Sequence, residues 1–492
     1  MSRQPPIYHG SLSKINEGFI LYRIHSRIRI IFYCLIIGFL LPSISYAQPK
    51  IIWSKTYGGT NTDVAESVIE TNDGNFVFTN IGNLIKIDNQ GNRLWSVGLM
   101  GSGKSLVQTA DGGYVITGGV SGNLMILKSS SAGEIIWQTV LNNSATEIGL
   151  DISINANEEF IVTGKSHPYH SFTQSIVVAS FGVNGELLWK KEHGSGIIDI
   201  GEDIISLSDG NIVVTGGFVT NPDDATDLLF LKLGAEGDAI WNKTYGGSGG
   251  DNGKKIIETK DGGLLAVGNI SLFGTKNQDL WIIKTDSNGD SLWTKTYGGP
   301  FNESAYSVIQ SEIGGYIVVG DSGVGDHHTG GGDLWLLKID ESGNLLWTET
   351  FGDGGSDGGR SIFNTKDGGF VVSGFKSDSG NLDAWILRFA PEQAVSVIGF
   401  PLNIPIKFKL SQNYPNPFNP LTTIRYALPA AAEVLLAIYN IRGEEVARLV
   451  NGEQPAGNYQ VSWDASNVAS GVYIYRLTTG EFTEIKKMVL LK

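Results

Sequence analysis

A tryptophan returns at Trp95, Trp137, Trp189, Trp241, Trp293 and Trp347, each closing a phrase of the same kind. Spacing runs from 42 residues (Trp95 to Trp137) to 54 (Trp293 to Trp347). The phrase begins with a short apolar stretch and a D-G-G-aromatic-hydrophobic run ending in Gly. A variable loop, D-hydrophobic-W-hydrophobic-K, a small polar turn and the tryptophan follow. Its turn signature stands at Asp73-Gly74-Asn75-Phe76, Asp111-Gly112-Gly113-Tyr114, Asn157-Glu158-Glu159-Phe160, Asp209-Gly210-Asn211-Ile212, Asp261-Gly262-Gly263-Leu264, Ile313-Gly314-Gly315-Tyr316 and Asp367-Gly368-Gly369-Phe370. Asp-Gly and Gly-Gly pairs supply the positive φ angles of tight hairpins, and β-branched and aromatic residues fill the flanking runs. Each of the seven units therefore predicts a four-stranded meander.

Repeats of this length with four strands stack as blades around an axis. The ends of the array predict a closed ring. The seventh unit finishes at Asp383-Ala384-Trp385-Ile386-Leu387-Arg388 with no outer-strand tryptophan after it. The missing strand stands at the other end, as Ile51-Ile52-Trp53-Ser54-Lys55-Thr56-Tyr57-Gly58-Gly59, nearly matching Trp293-Thr294-Lys295-Thr296-Tyr297-Gly298-Gly299. An open β-solenoid is the alternative, but it needs no permuted strand. The expected fold class is all-β: a seven-bladed β-propeller closed by an N-terminal strand, followed by a small C-terminal antiparallel β-sandwich. The repeat resembles a secreted bacterial propeller-repeat family whose units read W-K-T-Y-G-G … D-G-G-Y … D-W-L-L-K. That resemblance covers roughly residues 50 to 390 and bears on fold rather than activity.

Glycine is 65 of 492 residues and charged residues only 17%, a composition suited to short strands and tight turns. The net charge of −14 speaks against a phosphate-backbone partner, since nucleic-acid binding runs on Lys and Arg. Cys34, the single cysteine, lies in an apolar run from Ile30 to Leu41, after Arg27 and Arg29 and before Ser45-Tyr46-Ala47. This is the order of a signal peptide, expected over residues 1–47, and too short to span a bilayer. Cleavage would leave no cysteine, which excludes thiol chemistry and disulfides. The expected division is 1–47 signal peptide, 48–392 propeller, 393–409 linker and 410–492 terminal domain.

In that terminal segment, Gln412-Asn413-Tyr414-Pro415-Asn416-Pro417-Phe418-Asn419-Pro420 forces an extended, turning backbone. Alternating runs follow, separated by turns at Gly443, Gly457 and Gly471. With Ile438-Tyr439-Asn440, Ser470-Gly471-Val472-Tyr473 and the Lys486-Lys487-Met488-Val489 run, this segment closely resembles the type A C-terminal sorting domain of type IX secretion cargo. The resemblance implies a role for Asn413, Tyr414, Pro415, Asn416, Pro417, Phe418, Asn419, Pro420, Gly443, Gly457, Gly471, Tyr473 and Lys487 in sorting. It also implies an outer-membrane translocon and a sortase-like cysteine protease as partners, and a cell-surface or extracellular destination reached through the periplasm.

Blade connections alternate between the two faces of the disc. The first and third are short and constant, whereas the second and fourth are long and variable, so a ligand is expected on the face carrying the latter. Candidate binding residues there are Tyr169 and His170, Asp223 and Asp224, Asp251, Asp326 with His327 and His328, and Asp353 with Asp357. Neither histidine cluster has zinc spacing, so no metal ligands are assigned. The Asp353–Asp357 loop leaves calcium or a sugar open as an alternative to a solvated turn, and no other cofactor is expected. No G-x-S-x-G, H-E-x-x-H or P-loop is present. The expectation is a monomeric, non-catalytic binding protein for a glycan or protein ligand. A secreted hydrolase or lyase using acids or histidines on the variable face is the alternative.

Overall fold

The computed structural model describes residues 45–46, 48–141, 145–169, 173–195, 197–219, 225–271, 277–299, 301–323, 332–353, 355–378, 381–392, 394–395, 407–429, 432–454, 457–480 and 482–491. The proposed signal peptide thus lies almost wholly outside the described residues. Every regular element among those described is a strand. One compact unit spans Tyr46–Val395, and a second holds the residues from Lys407 onward.

The first unit is built of propeller-like repeats, seven four-stranded antiparallel sheets in chain order. Sheet 5 is representative, with strands Asn252–Glu258, Leu264–Ser271, Gln278–Thr285 and Ser291–Tyr297. The middle strands read as continuous apolar runs because both of their faces are covered. Leu264, Ala266, Trp281 and Ile283 pack with Val213, Leu228 and Phe230 of sheet 4. Leu265, Val267, Leu280 and Ile282 pack with Tyr316, Val318, Leu337 and Ile339 of sheet 6. The outer strand has one neighbour and alternates between exposed and half-buried positions.

Sheet 7 recruits its outer strand from the other end of the array. Ile51–Tyr57 pairs with Asn381–Phe389, Trp53 opposite Arg388 and Tyr57 opposite Ala384. Sheet 7 also bonds to sheet 1: Ala65 N donates to Gly374 O at 3.0 Å and Lys366 N to Glu70 Oε2 at 2.6 Å.

The outer-strand tryptophans pack against the following sheet, and three of them, Trp53, Trp241 and Trp293, head the phrase W-x-K-x-Y-G-G. Trp53 meets Phe76 edge-on, ring centroids 6.0 Å apart, and Trp95 and Trp137 meet Tyr114 and Phe160 at 6.1 and 6.2 Å. The tyrosine hydroxyl donates to a turn carbonyl of the following sheet, Tyr57 to Gly91 O at 2.7 Å and Tyr297 to Gly343 O at 2.5 Å. That turn needs glycine twice over. At Gly289 φ is +79° and a Cβ would sit 2.8 Å from the Trp241 ring.

The aspartate that opens the D-G-G or D-G-N turn pairs with a lysine near the end of the third strand of its own sheet: Asp73 with Lys86 at 2.7 Å, Asp111 with Lys128 at 2.6 Å, Asp209 with Lys232 at 2.9 Å, Asp261 with Lys284 at 3.1 Å. In sheet 7 the cation is Arg388, 2.6 Å from Asp367. Sheet 3 has Asn157 and Ser180 at these two positions, so both charges are absent together. Sheet 6 keeps the cation and loses the acid to Ile313. Its buried Lys338 instead reaches Glu392, beyond the last strand of the array, at 2.9 Å.

In the second unit, Lys409–Leu410, Leu421–Leu428 and Gly457–Asp464 form a three-stranded sheet. Glu445–Gln454, Ala432–Asn440, Gly471–Thr479 and Phe482–Leu490 form a four-stranded one. Both contribute to one core around Ile424, Tyr426, Leu436, Ile438, Tyr475 and Leu490.

Candidate functional site

The inner strands carry a local irregularity that builds a site. In sheets 2 to 7 the pairing of the first two strands slips at one residue: Lys104, Leu150, Glu202, Lys254, Tyr306 and Arg360. A β-bulge of this kind leaves its extra residue out of the ladder and re-aims the side chain. The glycine ending each D-G-G run makes room for it. A Cβ at Gly118 would stand 1.7 Å from Ser102 O, and one at Gly268 1.9 Å from Asn252 O. Sheet 1 has Asn80 in place of that glycine, and its inner strand pairs without a slip.

The bulged residues converge. With Glu66 of sheet 1 and the residues that follow each of them, they line a cavity of about 260 Å³ to which all seven sheets contribute. Each inner strand runs from a long connection to a short D-G-G turn, so the bulges sit near the long-connection end. A larger, more apolar cavity of about 640 Å³, lined by Val68, Leu106, Ile152, Ile204 and Ile362 among others, continues toward the turn end. The two share Ser67, Ser105, Asp151, Lys255, Ser307 and Ser361.

Charges in the first cavity neutralise each other between adjacent sheets. Lys104 Nζ lies 2.5 Å from Glu66, and Lys254 Nζ 2.6 Å from Glu202. Arg360 stacks on Tyr306, 4.1 Å to the ring centroid, and reaches Asp321 at 3.1 Å. Deeper in, Lys255 Nζ stands 2.5 Å from Asp203 and 3.9 Å from Asp151. Burial, and then the neighbouring Asp151 carboxylate, push the Asp203 carboxyl well above its ordinary range against the pull of Lys255. The result is a polar, nearly neutral funnel with donors and acceptors on every side and one aliphatic wall at Leu150.

None of these residues was among the sequence candidates, although a signal exists. Each bulged residue, and Glu66, stands seven positions before the first residue of its turn signature, as Lys254 does before Asp261. The position varies freely in charge inside an otherwise regular phrase.

Of the sequence candidates, Tyr169 is exposed after Phe160–Pro168, in the long connection of sheet 3. Asp251 is fully buried; its Oδ2 accepts from Gly247 N and its Oδ1 from Ser271 N, both at 2.8 Å. Asp357 is buried likewise and accepts from Asp353 N at 2.8 Å and Ser377 N at 2.9 Å. Both carboxylates clamp their own connections from inside. The exposed Asp353 carboxylate pairs with Lys376 at 2.9 Å. His170, Asp223, Asp224, Asp326, His327 and His328 lie outside the described residues.

In the second unit the motif residues divide into two sets. Asn413 is buried, its Nδ2 donating to Pro415 O at 3.0 Å and Thr422 Oγ1 at 2.9 Å and its backbone N to the Tyr475 hydroxyl at 2.7 Å. Phe418 is buried against Trp463, and its N and O bond Val489 and Leu491 of the last strand and its end. Tyr473 donates to Ala469 O at 2.6 Å, and Gly443 takes a φ of +81° in its turn. Tyr414, Pro415, Asn416, Pro417, Asn419 and Lys487 are exposed, Pro420 is half-buried, and Gly457 and Gly471 each begin a strand.

Two family profiles match the chain. Residues 412–491 match a secretion system C-terminal sorting domain, and residues 81–323 match the outer membrane protein assembly factor BamB. No curated protein matches. Among solved structures, the chain is similar to a protein of unknown function from Bacteroides caccae (16% identity, 53% of this chain and 94% of that one, TM-score 0.36). It is similar also to the Pan2 WD40 domain of Neurospora crassa (12%, 70% and 97%, TM-score 0.47) and to PorZ, a surface component of the type IX secretion system of Porphyromonas gingivalis (12%, 85% and 69%, TM-score 0.33). Residues 412–491 are thus a type IX secretion C-terminal sorting domain, which indicates export of the propeller-like repeats to the cell surface or the extracellular space.

Proposed function

We propose that the exported chain is a monomeric, non-catalytic binding protein. Its repeats form a closed seven-bladed propeller, its sorting domain a small sandwich, and its ligand enters the axial cavity from the long-connection face. The observation that carries this reading is the ring of bulged side chains. Six sheets give up ladder pairing at the same place, and each aims its released side chain, of five different kinds in all, at one cavity. A scaffold that is regular elsewhere and variable there has the form of a recognition site. Because the ring pairs its charges internally, it suits a neutral, hydroxyl-rich glycan or a polar protein segment more than a strongly charged ligand. Tyr169 and the candidate residues of the long connections would extend the contact outward. A translocon and a sortase-like protease remain the proposed partners of the tail.

The second reading, a polymer-cleaving hydrolase, draws on the Asp151–Asp203 pair. Two neighbouring carboxyls of which one is pushed up can divide acid and base roles. Lys255 and the backbone amides of Ile204 and Ile256 already engage both groups, which favours binding over turnover.

A glycan array and a pull-down with the full-length secreted chain test the first reading, with Glu202→Ala and Lys254→Ala as controls. Polysaccharide turnover abolished by Asp151→Asn would establish the second instead. Deleting residues 410–492 is expected to leave the propeller in the periplasm, and unchanged secretion of that truncated chain would refute the role of the tail.

A further inference from the structure

The hydrogen-bonding capacity of the axial cavity is used unevenly around the ring. The three lysines that line it are each held by an acid of the same lining: Lys104 by Glu66 at 2.5 Å, Lys254 by Glu202 at 2.6 Å and Lys255 by Asp203 at 2.5 Å. Asp151 and Asp203 also accept from the backbone N–H groups of Ile204 and Ile256. The side formed by sheets 3 to 5 therefore largely satisfies itself.

Arg360 differs from the lysines. Its counter-ion, Asp321, stands in the second strand of sheet 6 and is not part of the cavity lining. All of its hydrogen bonds leave from one corner, where Nη1 donates to Asp321 Oδ2 at 3.1 Å and to Gly359 O at 2.8 Å. The guanidinium carbon lies 4.1 Å from the centroid of the Tyr306 ring and 4.7 Å from that of Phe375, contacts that hold the group in place. Its Nε and Nη2 N–H groups have no partner among the described residues and are not sealed from solvent. Asp321, Gly359 and Phe375 lie outside the lining to which Arg360 belongs, so this free edge is what the guanidinium offers to the cavity. A second observation falls on the same side. The residue after each ring position is a serine in sheets 6, 7, 1 and 2: Ser307, Ser361, Ser67 and Ser105. All four line both axial cavities. None of their hydroxyls has a hydrogen-bond partner among the described residues, and none is sealed from solvent. An arc of four hydroxyls, each able to donate and accept, thus adjoins one forked cation.

We propose that this arc binds a uronic acid residue of a glycan, its carboxylate against the Nε–Nη2 edge of Arg360 and its ring hydroxyls against the serines. A guanidinium edge presents two N–H donors in the geometry of a carboxylate, which an ammonium does not. The serine arc calls for several hydroxyls on one ligand, which an acidic peptide side chain lacks. At about 260 Å³ the cavity lies below the usual small-molecule range of about 300–1,000 Å³, which suits one sugar residue at a chain end. The assignment rests on the reading of the ring as a ligand site and sharpens it: the glycan is hydroxyl-rich and neutral there except for one carboxylate.

The test is calorimetric titration of the full-length chain with disaccharides of glucuronate, galacturonate and mannuronate, each beside its neutral counterpart. At least one uronate should bind about tenfold or more tightly than its counterpart, the scale of hydrogen bonds to a charged group. Arg360→Lys, which keeps a cation beside Asp321, should lose that preference. Combining Ser67→Ala with Ser361→Ala should weaken the same uronate about tenfold while its preference over the neutral sugar persists. These two small substitutions keep the test open if Arg360→Lys fails to fold. Equal binding of acidic and neutral sugars, a preference unchanged in Arg360→Lys, uronate binding unchanged in the serine double variant, or binding of a glutamate-rich peptide in place of every uronate would each overturn the assignment while leaving the ring a ligand site. No binding by any of these sugars or by the peptide would count against the ring as a ligand site as well.

Discussion

Lys254 Nζ and Glu202 Oε1 stand 2.6 Å apart across the boundary between sheets 4 and 5, each side chain about a quarter exposed or less. Both residues were released from their ladders by a bulge, and the pair closes part of the cavity wall. Partly solvated pairs of this kind contribute little to stability. Lys254→Ala is therefore expected to change the unfolding free energy by less than about 1 kcal/mol. Denaturant titration of the variant checks this. The outcome matters because binding by the variant can then be read without a folding defect.

The bulge itself depends on Gly268. A methyl group there meets Asn252 O at 1.9 Å, and that backbone oxygen cannot withdraw while the slip at Lys254 persists. Gly268→Ala should cost about 1–3 kcal/mol, the range of overpacked sites. Chemical denaturation measures the loss, and a variant as stable as the wild type would show that the inner strand pairs equally well without its bulge.

Asp111 gives a pH signature. The Lys128 ammonium, then the Thr109 hydroxyl and Gly113 N–H, hold its carboxyl down at about 2 from an ordinary 3.8. A depressed carboxylate stabilises the fold above its unfolded pKa and loses that contribution as pH falls through the folded one. The stability difference between wild type and Asp111→Asn should be constant above about pH 5 and shrink progressively as pH falls through the folded value of about 2. It should stay below about 1 kcal/mol, because Asp111 is more than half exposed. Urea titrations at several pH values provide the readout.

Lys338 and Glu392 behave differently because both are buried. Glu392→Ala leaves the ammonium without its carboxylate and should destabilise by about 3–5 kcal/mol. Adding Lys338→Met should recover most of that loss, since the cost lies in a buried ammonium that has lost the Glu392 carboxylate. A double-mutant cycle by thermal or chemical unfolding separates this from simple loss of packing.

The repeat phrase made the four-stranded sheets and the strand exchange at Trp53 readable, because turn chemistry and two-sided apolar runs are local properties of the chain. The tail was readable from its run of motif residues, although Asn413 and Phe418 find partners far along the chain, at Tyr475, Trp463, Val489 and Leu491. The axial ring was not. Glu66, Lys104, Glu202 and Arg360 lie far apart in sequence and meet only through the curvature of the whole array, and the bulge that aims the last three marks the sequence only by a permissive glycine on the facing strand and a fixed distance to the turn. Asp251 and Asp357 stood out in sequence as loop acids, yet sequence does not tell an acid that faces solvent from one that folds back onto its own backbone amides.

The central claim is that the ring on the long-connection face is where this exported protein takes its ligand. The most direct measurement is titration of the ligand identified by array or pull-down into the wild type, Glu202→Ala, Lys254→Ala and Asp111→Asn by calorimetry. The two ring variants should bind at least tenfold more weakly at unchanged stability, and Asp111→Asn, on the opposite face, should bind normally. Equal affinity in all four proteins would contradict the account.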